Sequence, residues 1–293
     1  MSDEPIPFSR IERVAALLGQ GANLTRSGKR IQSSYLRNFS MRWVRFVLER
    51  RMLVEGLAEL RDLEPPRGVL LVSNHRSFFD QYAALMTVWT YGARWGRDLN
   101  FPVRADFFYD NPTGLFLNYF VAGGAMYPPV YRDSTRQALN AKSLECIVEL
   151  LGTPGNLVGV HPEGTRGKGP DPYQLLPAQP GVGKMALLGR PTVIPLFING
   201  LSNDFVADVR TNFKASGRRV QPLIVVFGQP IDYADLLAEK PRPTLYKKAA
   251  DRFMREVARL GVRERALRVQ CEHDEIPADD ERWLTRYRTL HAR

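Results

Sequence analysis

Six short apolar runs, "GVLLVS", "LNFPVRA", "GGAMYPPVY", "GNLVGVH", "PTVIPLFI" and "PLIVVFG", recur between residues 68 and 228, with helical stretches between them. Runs this short, rich in Val, Ile and Leu and separated by helices, suit strands buried on both faces of a mostly parallel sheet. The fold class this predicts is α/β, a single domain whose central sheet is flanked by helices. "STRQALNAKSLECIVELLG" (residues 134–152) reads as a crossover helix with a Ser cap and a Gly stop, and "LYKKAADRFMREVARLG" (245–261) as another. Three regions result: an N-terminal helical region over 1–64, a core over 65–235 and a C-terminal helical extension over 236–293. The last stretch, from Cys271, is so charged that it reads as a solvated helix or a loose tail.

The N-terminal region predicts two amphipathic helices. "SRIERVAALL" (9–18) has a Ser cap and ends at "GQG"; residues 34–52 form the stronger one. There Leu36, Phe39, Trp43, Phe46 and Val47 recur at helical spacing, flanked by Arg37, Arg42, Arg45, Arg50 and Arg51. Such a face suits either the chain's own core or the interface of an anionic bilayer. In the second case Arg42, Trp43, Arg45 and Phe46 meet the membrane surface.

The chain carries 41 Lys and Arg against 31 Asp and Glu, a net charge of +10, which points to an anionic partner. No helix-turn-helix, zinc-finger or RNP-like pattern accompanies the charge, so nucleic acid is not the expected one. The two cysteines, Cys146 and Cys271, form no CxxC pattern, so no disulfide framework or zinc site is expected and a cytoplasmic setting fits. The first ten residues lack the pattern of a secretory signal. No run of about eighteen apolar residues occurs, so contact with a membrane is expected from one side only.

Two stretches carry candidate chemistry, and each comes after a predicted strand. "SNHRSFFD" (73–80) sets His75 five residues before Asp80 at a strand-to-helix junction, a favoured place for catalytic groups in open α/β sheets. A neutral imidazole accepts a proton near pH 7, and a carboxylate on its other nitrogen orients it. Ser73, Asn74 and Ser77 are also good capping residues, so a plain helix cap reads equally well from these residues alone. "GVHPEGTRGKGP" (159–170) groups Glu163, Gly164, Thr165 and Arg166 in a Gly-rich turn. That turn can present N–H groups and a guanidinium to an anion, or simply pair its own Glu and Arg. "GVGK" at 181–184 fails the P-loop spacing and is set aside.

Taken together, in this order and separation, "NHRSFFD" resembles the N-H-x-x-x-x-D block and "HPEGTR" the F-P-E-G-T-R block of the glycerolipid acyltransferases, the glycerol-3-phosphate and lysophosphatidic acid acyltransferases and their relatives. "VIPLFING" and "VVFGQPIDY" extend the resemblance over roughly residues 65 to 235. It implies transfer of a fatty acyl group from acyl-CoA or acyl-carrier protein to a hydroxyl of a lysophospholipid or related glycerolipid. His75 would be the general base and Asp80 its partner, with Glu163, Gly164, Thr165, Arg166 and Arg132 binding substrate. It implies no cofactor and no metal, and a place on the inner face of the cell membrane. Backbone N–H groups near Phe78 would serve the oxyanion. The same mechanism also admits a soluble acceptor with an acidic acyl-carrier protein as donor. Two departures stand out: His161 replaces the usual Phe and reads as a satisfied polar neighbour, and "LLPAQPG" lacks the family's Lys, which leaves the headgroup open.

Overall fold

The computed structural model describes residues 9–131 and 136–291. Among them, strands β1 (Met52–Glu55), β2 (Val69–Ser73), β3 (Asp98–Asn100), β4 (Val103–Arg104), β5 (Pro129–Val130), β6 (Asn156–Val160), β7 (Thr192–Asn199) and β8 (Leu223–Phe227) form two sheets. The larger has the order β1-β8-β7-β2-β6-β3, and the smaller pairs β4 with β5. Every neighbour pair in the large sheet is parallel except β7 with β8.

The apolar runs stay strands because both faces are covered. Val69 and Leu71 of β2, Ile194, Leu196 and Ile198 of β7, and Leu223, Val225 and Phe227 of β8 face one core. The alternate residues Leu70, Val72, Val193 and Phe197 face a second core. A period of two thus divides each strand between two apolar layers, and each fully buried Val, Leu or Ile contributes ~1.5–3 kcal/mol. Proline limits the other runs: Pro102 separates β3 from β4, and of "GGAMYPPVY" only Pro129 and Val130 pair.

The first helices are α1 (Arg10–Leu24), α2 (Arg26–Tyr35) and α3 (Met41–Leu48), with a π turn at Leu36–Ser40 between the last two. Helix α1 runs through "GQG" instead of ending there, and the helix expected to reach Met52 stops earlier, because Met52 opens β1. The sheet therefore takes an edge strand from within the N-terminal region. The π turn rotates α3 relative to α2 and splits the expected stripe. Leu36 and Val47 are buried, while Phe39 and Phe46 stand 44% and 62% exposed. Trp43 turns inward toward Tyr82, ring centroids 6.1 Å apart, and Arg45 is half-buried, whereas Arg42 is exposed.

The remaining helices are α4 (Asp80–Thr90), α5 (Ala105–Phe108), α6 (Pro112–Phe116), α7 (Gln137–Leu151), α8 (Pro180–Gly189), α9 (Phe205–Phe213), α10 (Gly217–Val220), α11 (Ala234–Leu237), α12 (Pro243–Glu272) and α13 (Leu284–His291). The C-terminal stretch is neither solvated nor loose. Ile276, Trp283, Leu284 and Tyr287 are buried, and the Val54 N–H donates to the Arg282 carbonyl at 2.8 Å, so this segment covers the β1 edge. A few apolar side chains among many charges are enough to dock it.

Helix α12 closes the second core by lying on α8, where Gly183 lets the helices meet: a Cβ there would fall 1.9 Å from the Tyr246 carbonyl oxygen. Gly183→Ala is expected to cost about 2–3 kcal/mol by overpacking, read as a lower urea midpoint with little change in slope.

Candidate active site

The site is built where β2 and β6 end side by side. Asn74, the residue after β2, donates from Nδ2 to the Ile198 carbonyl at 2.9 Å and accepts from the Ile198 N–H at 2.8 Å. A side chain thus prolongs the ladder for one residue, and the chain leaves the sheet at a fixed point. Helix α4 begins at Asp80 itself. The buried Asp80 Oδ2 accepts the N–H groups of Arg76 and Ser77, both at 2.8 Å, and lies 3.1 Å from His75 Nδ1. The loop's backbone N–H groups and the histidine therefore share one carboxylate oxygen, while the helix start itself, with Phe79 at the N-cap, has no side-chain cap. The His75 Nε2 has no partner among the described residues, and the side chain is 22% exposed.

The second stretch wraps the first. Glu163 is a strut: Oε1 accepts the His75 N–H at 2.8 Å and Oε2 the Leu176 N–H at 2.8 Å. The Gly167 N–H donates to the His75 carbonyl at 2.8 Å. Gly164 closes the turn at φ +69°, where glycine is favoured, and it and Thr165 are exposed. Arg166 Nη1 donates to Asn203 Oδ1 at 2.7 Å, and the Phe78 N–H reaches the same oxygen at 3.3 Å. Asn203, in the loop after β7, thereby ties both stretches together.

His161 stacks on His75, with ring centroids 3.8 Å apart and planes 6° from parallel. Its Nδ1 faces Ser73 Oγ at 3.0 Å and the Ser73 carbonyl at 3.3 Å, and its Nε2 faces Gln81 Nε2 at 2.8 Å. A carbonyl only accepts, so Nδ1 carries the proton and Nε2 receives the amide N–H. This clamp leaves His161 no room for a second proton. It is a satisfied neighbour, as its sequence context suggests, but one placed directly on the candidate base.

Burial sets the charges. It lowers His161 to about 3, with His75 adding to the effect, and it lowers His75 to about 4, helped by the Arg166 charge. It raises Asp80 to about 6 against the pull of its hydrogen bonds, and it raises Glu163. At neutral pH the pair is a carboxylate and a neutral imidazole. Donor atoms of His75, Asp80 and His161 lie within 4.8 Å of one another, close enough to suggest a metal site. The geometry does not fit one: the rings are stacked in parallel, so their lone pairs do not converge, and both His161 nitrogens are engaged.

The structure thus gathers His75, Asp80, Glu163, Gly164, Thr165 and Arg166 around one spot. Arg132 lies outside the described residues. Arg42, Trp43, Arg45 and Phe46 sit on α3, where Trp43 lines a small pocket with Phe79 and Tyr82. The N–H groups near Phe78 are already taken: those of Arg76 and Ser77 by Asp80, that of Phe78 by Asn203, and that of Phe79 by Ser77 Oγ at 3.2 Å. Phe78 also borders an apolar wall, its ring centroid 5.8 Å from Phe108 and 6.4 Å from Phe107. The sequence does not single out Asn74, Gln81 or Asn203 as site residues, and the one signal for Asn203 is its place just past a strand's C-terminal end.

A family model described as Acyltransferase matches residues 51–199. No curated protein matches the chain. Among solved structures, the 1-acyl-sn-glycerophosphate (LPA) acyltransferase PlsC from Thermotoga maritima is similar, with 16% identity and a TM-score of 0.45, over 85% of this chain and 89% of that one.

Glu163→Gln separates a strut from a substrate ligand. Glutamine has one acceptor oxygen for two N–H donors and turns an NH₂ toward the second, so folding stability is expected to drop by about 1–3 kcal/mol. Chemical denaturation in the absence of any substrate measures it.

Proposed function

The chain belongs to the Acyltransferase family, and on that footing we propose that it moves a fatty acyl group from a thioester donor to a hydroxyl of a lysophospholipid or related glycerolipid, with His75 as general base. One observation carries the residue assignment: a neutral imidazole whose Nδ1 is fixed by a buried carboxylate at 3.1 Å and whose Nε2 has no partner among the described residues. In this reading Nε2 takes the acceptor's hydroxyl proton as the oxygen attacks the thioester carbonyl. The carbon–sulfur bond breaks, and the imidazolium returns the proton to the departing thiolate. Asp80 stabilises the imidazolium in between. Cys146 and Cys271 lie on α7 and α12, and no G-x-S-x-G occurs, which favours direct attack over an acyl-enzyme.

Arg166 supplies positive charge for the acceptor's anionic group and the developing oxyanion, since it is near enough to depress His75. Phe78, Phe107 and Phe108 offer an apolar surface for the acyl chain. Acyl-CoA or acyl-carrier protein is the donor.

An anionic bilayer on the cytoplasmic side is the proposed setting. Supporting it, α1 is built inside out. Ile11, Val14, Leu17 and Leu18 stand more than half exposed, whereas Glu12, Ala15, Gly19 and Asn23 are buried. Phe39, Phe46, Phe116 and Phe120 are further exposed apolar groups. No helix among the described residues is long and apolar enough to cross a membrane. Phe46 and Arg42 keep their expected surface role in this reading, while Trp43 and Arg45 serve the packing of α3.

With a labelled acyl-CoA and a panel of lysolipid and polyol acceptors, His75→Ala is expected to lose ~10²–10⁴-fold in kcat while melting like the parent, and Asp80→Asn to lose nearly as much. Near-normal turnover by folded His75→Ala would sink the assignment. The pH profile is a second check. Because His75 is held down at about 4, its own protonation should not limit kcat/KM in the usual imidazole range near 6.5. It should begin to fall as pH drops through about 6, where Asp80 is protonated and no longer serves as the partner carboxylate, and fall further toward 4 as the base itself is protonated.

A further inference from the structure

A cleft of about 830 Å³ opens between α2 and the end of the sheet where β3 and β6 begin. Asn156, on its wall, starts β6, and His161 comes directly after that strand, so the cleft lies a strand's length, ~16 Å, from the candidate base. It is a separate place.

One wall is a continuous helical face. Arg26, Lys29, Arg30, Ser33, Ser34 and Arg37 follow the i, i+3, i+4, i+7 pattern and all line the cleft. Two of these cations are fixed. Lys29 gives its protons to Asn23 Oδ1 at 3.1 Å, Asn100 Oδ1 at 3.0 Å and the Leu99 carbonyl, and burial lowers its pKa to about 7, so it offers neither a free donor nor a full charge. Arg37 lies over the Trp89 ring at 5.0 Å and donates to the Arg97 carbonyl at 3.0 Å. Arg26 and Arg30 make no ion pair or hydrogen bond among the described residues.

The opposite wall does not neutralise them. Asp98 is already engaged by Arg97 at 2.8 Å and by Ser33 Oγ at 3.1 Å. Glu149 is the other acid on the lining, and it is exposed. Arg26, Arg30 and Arg37, with a partly charged Lys29, therefore share one concavity with a single uncommitted carboxylate, an arrangement that repels itself until an anion enters. Thr153, Asn156 and Asn38 add neutral polar groups around the space.

We propose that this cleft binds a phosphate-bearing anion of at least two charges, with Arg26 and Arg30 as its direct ligands. Guanidinium forks suit phosphate oxygens, and unpaired ones are the available donors here. The phosphate can belong to an anionic lipid headgroup or to a free phosphorylated compound, and the cleft's chemistry is the same for both.

Isothermal titration calorimetry of the full chain with pyrophosphate at low ionic strength tests this. One saturable site per chain is expected, weakened ~10-fold or more in Arg26→Ala/Arg30→Ala. Both side chains are exposed and unpartnered, so this variant should melt like the parent. Displacement of pyrophosphate by phosphatidylcholine vesicles doped with phosphatidic acid, but not by plain phosphatidylcholine, supports a lipid headgroup. Retention of pyrophosphate against both vesicles supports a soluble ligand. No saturable binding, or binding that the double variant leaves unchanged, as a site at Arg166 would, overturns the proposal.

Discussion

The carboxylate of Asp80 holds the candidate site together. It is 2% exposed, and its partners are hydrogen-bond donors rather than an arginine or lysine in direct contact. A buried carboxylate without a paired cation stays ionised only if hydrogen-bond donors surround it. Those donors are the N–H groups of Arg76 and Ser77 and the His75 ring, so the loop from β2 to α4 must curl back on the helix start. Once curled, it offers the His75 N–H to Glu163 and the His75 carbonyl to Gly167. The two motifs therefore fold as one object. Asn203 and Asn74 fasten that object to β7, and the sheet's twist and register pass directly to the imidazole.

Strands β2, β6, β7 and β8 were legible in the sequence because burial on both faces leaves an apolar run that little else explains, whereas β1 was hidden in the run expected to be a helix. The motif residues were legible for the same kind of reason, since His, Glu and Arg just past strands have few structural excuses. Their division of labour was not. Glu163 looks like a ligand in one dimension and is a backbone acceptor in three, because the Leu176 N–H that completes it arrives from thirteen residues away. Likewise the N–H groups near Phe78 look free in the sequence, and Asn203, from another strand's loop, takes one of them. Long-range partners of backbone groups leave no periodic trace. The C-terminal stretch shows the opposite failure: its charge was visible, while the few buried side chains that dock it were outnumbered.

Helix α1 inverts the usual amphipathic rule, and its inner face explains how. Asn23 donates to the Gly19 and Gly124 carbonyls, each at 2.8 Å, and accepts from Gln32 at 2.6 Å and Lys29 at 3.1 Å. Glu12 pairs with Arg136 at 2.5 Å. A polar network can hold a helix to a protein without an apolar seam, and it selects one orientation because each unmade bond is costly. The apolar residues are then free to face outward. Sequence periodicity reports which residues are alike, not which way they point, so an apolar stripe was visible and its direction was not.

The same polar attachment accounts for the position of the basic face of α2. Lys29 and Gln32 are drawn inward by Asn23 and by the β3 edge, and Ser33 is drawn to Asp98. Residues three and four apart on a helix share a side. Fixing Lys29 and Ser33 inward therefore forces Arg26, Arg30 and Arg37 to border the same space rather than point to open solvent. The concentration of positive charge in the cleft is thus a geometric consequence of how α2 is anchored. Its persistence without matching acids is what sets it apart from exposed arginines elsewhere on this chain, such as Arg259 and Arg263, which are paired with Glu256 and Glu55.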